Sequence, residues 1–92
     1  MSKSIMQDEK ACYITGRTTG LHKHHIYGGA NRKNSEKWGC YVYLVPEYHN
    51  MSDSGVHFDK KFDSLLKRVC QRKFEELYGH DRFMEVFGKN YL

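Results

Sequence analysis

Leu21-His22-Lys23-His24-His25-Ile26-Tyr27-Gly28-Gly29 is the stretch whose reading decides the fold. Three of the six histidines fall within four residues, and a glycine pair follows two residues later. Leu21 and Lys23 alternate with His22 and His24, which reads as a β-strand over residues 21–26. Successive side chains of a strand point to opposite faces, so His24 and His25 cannot both face one way. One imidazole is thus placed to hold a cation while its neighbour takes a proton from water, the division of labour that a single-metal nuclease needs.

On the C-terminal side, Cys40-Tyr41-Val42-Tyr43-Leu44-Val45 is rich in β-branched and aromatic residues and gives the strongest strand signal in the chain. It is expected to pair antiparallel with residues 21–26. Residues 28–37 between them form a loop of small, polar and basic residues, in which Asn34 or Ser35 caps a single helical turn running to Trp38 and Gly39. Two glycines there free the backbone to approach a phosphate, with Arg32, Lys33 and Lys37 beside it.

On the N-terminal side, residues 11–15 are β-prone and closed by Gly16, which suggests a small knuckle beneath the histidine strand. Residues 1–9 read as a loose tail. Past the second strand, Pro46 suits the first turn of a short helix. After a loop at residues 52–55, Phe58, Phe62, Leu65, Leu66, Val69, Cys70, Phe74, Leu77 and Tyr78 recur at helical offsets, predicting a helix of about twenty residues. Gly79 ends it. Asp81 is expected to cap a last short helix stopped by Gly88. The fold class is therefore α+β: a β-hairpin packed against helices, with a long C-terminal amphipathic helix.

Ninety-two residues make one small domain, with 39% hydrophobic and 28% charged residues, a composition that is neither disordered nor membrane-spanning. No apolar window reaches a membrane span and residues 1–10 lack a secretory core, so no membrane partner is expected and a cytoplasmic location is. A net charge of +4 and a pI near 9.0 suit a polyanionic partner without demanding one. Cys12, Cys40 and Cys70 are odd in number and widely spaced, which fits reduced thiols and leaves too few ligands for a four-cysteine zinc site.

A hairpin with a helix across it would let His24, His25, His49 and His57 converge. Neutral imidazoles are good ligands for zinc, nickel or manganese, or a weakly held magnesium. His22 and His80 read as ordinary surface or half-buried histidines. Arg17, Arg32 and Lys33 are the candidate phosphate contacts.

Together His24-His25-Ile26, the glycine-bearing loop, Leu44-Val45-Pro46-Glu47-Tyr48-His49-Asn50 and Gly55-Val56-His57 resemble the HNH endonucleases, closest to a compact phage-type branch. The resemblance covers about residues 11–60, with the tail at 87–92 also similar. It implies a ββα-metal (His-Me finger) core over residues 11–60, followed by a helical part over 58–92. It implies His25 as the general base, with His24, His49 and His57 as ligands of one divalent ion (Mg, Mn, Ni or Zn). The activity implied is hydrolysis of DNA phosphodiester bonds, for example by a phage nicking enzyme in the host cytoplasm, where a homodimer would place two single-strand cutters on opposite strands. Departures from the family pattern point to the alternative, a degenerate module that binds nucleic acid or a host or defence protein without cutting. Thr15, Val45 and Tyr48 stand where many members carry structural-zinc cysteines beside Cys12. Packing by Tyr13, Ile14, Val45 and Tyr48 is expected to replace that zinc. No residue takes the place of the family's middle asparagine, with Cys40 at that position and Asn31, Asn34 and Asn50 only neighbours.

Overall fold

A computed structural model describes residues 3–49 and 59–92. Strand β1 (His22–His25) pairs antiparallel with β2 (Tyr41–Leu44), His22 opposite Leu44 and His25 opposite Tyr41. The order continues with α2 (Pro46–His49), α3 (Lys60–Tyr78) and α4 (His80–Phe87). This is the α+β hairpin-and-helix arrangement expected, including the long C-terminal helix. Among the described residues, no helix is long and apolar enough to cross a membrane.

The connection between the strands is more ordered than a loop with one helical turn. A 3-10 turn at Gly29–Asn31 leads into α1 (Arg32–Trp38), which ends on left-handed Gly39. Neither Asn34 nor Ser35 caps it; both lie inside the helix. Ser35 instead turns its hydroxyl to the backbone of Tyr27, accepting from its N–H at 3.0 Å and donating to its carbonyl at 2.8 Å. Asn31 and Asn34 donate to the carbonyls of Phe87 and Val86, tying the start of α1 to the end of α4.

Residues 4–7 are not loose. The Ser4 hydroxyl donates to the Tyr41 carbonyl, the Ile5 N–H to the Gly39 carbonyl, and the Tyr43 N–H to the Gln7 side chain, while Met6 is buried. The segment lies along β2 and satisfies backbone groups at what would otherwise be a bare sheet edge. In the knuckle, Cys12 forms an isolated bridge to Tyr43 and its sulfur accepts the N–H groups of Thr15 and Val45 at 3.4 Å each. Burial raises the Cys12 thiol pKa, but the hydrogen bonds from Thr15, Val45 and Ile14 outweigh it and leave the thiol below its ordinary value. Val45 is buried and Tyr13 and Tyr48 pack against the core. Ile14 does not join them and is 45% exposed.

Helix α3 is capped by Asp59, whose carboxylate accepts from the N–H groups of Lys61 and Phe62, worth about 1 kcal/mol. It buries Leu66, Cys70 and Phe74, one turn apart, and leaves Leu65 and Leu77, predicted on the apolar stripe, largely exposed. Phe58 lies outside the described residues. Tyr27 links the layers: its ring packs on Phe83, Phe87 and Tyr91, and its hydroxyl donates to the Lys67 carbonyl at 2.6 Å. Helix α4 begins at His80 behind Gly79, so Asp81 sits in its first turn, where it favours the positive end of the helix dipole without capping it. Gly88 ends it in the left-handed region, as predicted.

Fully buried Gln71 pins the C-terminal tail. Its amide donates to Glu75 and to Asn90, and its carbonyl accepts the Tyr91 N–H, all at 2.7 Å. The Gln71 donor, helped by His80, holds the Glu75 carboxyl below the usual glutamate range. The fold thereby favours the charged form, and that stabilisation is full above the ordinary glutamate pKa and is lost as the pH falls below it. Melting temperature is accordingly expected to drop more steeply between about pH 5 and about pH 3 for the natural chain than for Glu75→Gln. Parallel curves would mean that the carboxylate adds nothing.

Candidate active site

Alternation along β1 sets the geometry. His22 and His24 lie opposite Leu44 and Val42, whereas Lys23 and His25 lie opposite Tyr43 and Tyr41. Directly opposed residues of an antiparallel pair share a face, so the strand divides its histidines as expected. On the first face α2 delivers His49: its ring centroid lies 5.2 Å from that of His22 and 5.3 Å from that of His24. The Nδ1 atoms of His22 and His49 are 3.0 Å apart, so one donates and the other accepts, and the acceptor ring is unprotonated at that nitrogen. His24 is buried and His22 half-buried.

On the second face, His25 Nε2 lies 2.9 Å from Glu36 Oε1, and Lys23 Nζ reaches the same carboxylate at 3.2 and 3.3 Å. The His25 hydrogen bond, with Lys23 behind it, holds the Glu36 carboxyl below the usual range and therefore ionised. An ionised carboxylate can only accept, so His25 presents Nε2–H to it, and in the neutral ring the lone pair is then on Nδ1. The Lys23 ammonium also sits 4.4 Å from the centre of the Tyr41 ring.

Residues of both faces border one cleft. It encloses about 250 Å³ and is lined by Lys23, His24, His25, Gly28, Arg32 and His49. No family model, curated protein or solved structure matches the chain.

Of the residues singled out in the sequence, the cleft gathers His24, His25, His49 and Arg32. Arg17 and Lys33 are exposed and do not line it, and the Arg17 guanidinium donates to the Thr19 carbonyl. His57 lies outside the described residues. Among the described residues no group of three or more His, Cys, Asp or Glu side chains is disposed to hold a metal ion. His24 and His49 supply two imidazoles of the kind a divalent cation takes, and a third donor has to come from elsewhere.

Sequence reasoning passed over His22, although strand alternation already puts it on the face of His24. It also passed over Glu36. The available signal was charge: across residues 11–46 Glu36 is the sole acid, against five Lys and Arg. A lone carboxylate in a basic stretch is a natural partner for any hydrogen-bond donor nearby.

Proposed function

We propose that the chain is a divalent-metal-dependent endonuclease of the HNH kind that hydrolyses DNA phosphodiester bonds. One observation carries the reading: a single cleft is lined by His24 and His49 from one face of the hairpin, by His25 from the other, and by the cations Lys23 and Arg32. In this reading β1, β2 and α2 make up the ββα-metal element. His24 and His49 would hold the ion, with His57 as the third ligand that the family likeness implies. When bound, a Mg, Mn, Ni or Zn ion supplies Lewis acidity at the scissile phosphate and its leaving oxygen. His25 Nδ1 takes a proton from water as the water oxygen bonds to phosphorus; the bond from phosphorus to the leaving oxygen breaks, and that oxygen is protonated from solvent. Arg32 and Lys23 meet the phosphate charge.

A module that binds nucleic acid or protein without cutting is the second reading. It is favoured by Asn31 and Asn34, whose amides are committed to the Phe87 and Val86 carbonyls and not to the strand that carries the histidines. Supercoiled plasmid separates the two readings. Incubation with Mg, Mn, Ni or Zn is expected to give nicked circles with at least one ion and none in EDTA. Intact plasmid under every ion would leave the binding module as the better account.

A further inference from the structure

We propose that the outward face of α3 is a second nucleic-acid surface, separate from the histidine cleft, that grips the phosphodiester backbone. Residues 60–73 carry Lys60, Lys61, Lys67, Arg68, Arg72 and Lys73 against Asp63 alone, a net of +5 where the whole chain has +4. Lys61, Arg68 and Arg72 are seven and four residues apart and exposed, on the side of α3 away from Leu66, Cys70 and Phe74. At 1.5 Å per residue the stripe is about 16 Å long. Among the described residues, the ion pair on this stretch is Lys67 with Asp63 at 2.9 Å. Arg68 and Arg72, one turn apart, repel each other, which favours an external anion between them.

The stripe borders a concavity. About 360 Å³ is lined by Asp63, Ser64, Lys67, Arg68, Lys89 and Tyr91. The ammonium groups of Lys67 and Lys89 lie 5.7 and 5.2 Å from the Tyr91 ring centre. With Asp63 engaged by Lys67, Arg68 and Lys89 are left to bind a phosphate, beside a hydroxyl donor and an aromatic ring. A guanidinium, an ammonium and a hydroxyl around one space make a phosphate seat. The stripe then continues along neighbouring phosphates. An anionic membrane fits less well, because a helix that lies in a bilayer surface needs its apolar face for the lipid, and α3 spends that face on the core. No residue lining the histidine cleft belongs to α3, so the inference does not depend on whether the cleft cleaves.

Anisotropy of a fluorescein-labelled 20-base-pair duplex, with His25→Ala protein in EDTA over a range of salt, tests the proposal without any contribution from cleavage. Adding Lys61→Gln, Arg68→Gln and Arg72→Gln together is expected to weaken binding at least ten-fold and to lower the slope of log affinity against log salt by about 2.7, roughly 0.9 per phosphate contact. Removing the same charge elsewhere, with Lys3→Gln, Lys10→Gln and Arg82→Gln, should leave most of the slope in place. Equal losses in the two triple variants would reduce the effect to net charge and overturn the proposal. So would unchanged binding by the α3 variant with its circular dichroism intact, or binding of phosphatidylserine vesicles without binding of the duplex.

Discussion

Replacing His25 by alanine is expected to lower metal-dependent nicking of supercoiled plasmid by about a hundred- to ten-thousand-fold, the usual contribution of a positioned general base. Folding and duplex binding should survive, because Lys23 still pairs with Glu36 and the cleft cations remain. The argument rests on its partner. Glu36 is ionised and accepts from Nε2, so the lone pair of the neutral ring lies on Nδ1. Glu36→Gln, which can donate as well as accept, releases that choice of tautomer. A smaller loss of rate is expected, together with a change in the 15N shifts of the His25 ring in metal-free protein. If the shifts change but the rate does not, Glu36 orients a histidine that is not the base. If His25→Ala nicks as well as the natural chain, the base lies elsewhere.

How much of this was readable in advance depended on where the stabilising contacts are made. Strand β2 was legible because its residues prefer extended backbone locally, β1 because Leu21 and Lys23 alternate with His22 and His24, and α3 because Leu66, Cys70 and Phe74 recur at helical spacing. Helix α1 was not. Arg32-Lys33-Asn34-Ser35-Glu36-Lys37-Trp38 has no apolar period. What holds it is distant in sequence: Ser35 bound to Tyr27, Asn34 to Val86, and Trp38 packed against Phe74 and edge-on to Tyr78. Without those contacts nothing beyond its charge singled out Glu36, which faces His25 only because the helix places it there. The N-terminal segment was missed for a similar reason. Its apolar content is little more than Ile5 and Met6, and it docks largely through polar contacts of Ser4 and Gln7 with β2.

Gly39→Ala is expected to be the most destabilising single change in the hairpin. Gly39 holds φ at +74°, where an L side chain costs about 1–2 kcal/mol. A Cβ there would also run into the Lys3 carbonyl oxygen and crowd the Ile5 amide. Backbone cannot swing aside as a side chain can, so the segment must lift off. Its departure gives up the Ile5 bond to the Gly39 carbonyl and the burial of Met6, the latter worth about 1.5–3 kcal/mol. A total near 3–5 kcal/mol follows, a large share of the stability of a domain this size. Urea denaturation measures it, and a chain lacking residues 1–3 separates the causes. With the Lys3 carbonyl gone, Gly39→Ala should cost little beyond the dihedral penalty of about 1–2 kcal/mol, because only the milder contact with the Ile5 amide remains. The same cost in both backgrounds would show that residues 3–6 do not press on Gly39 in solution.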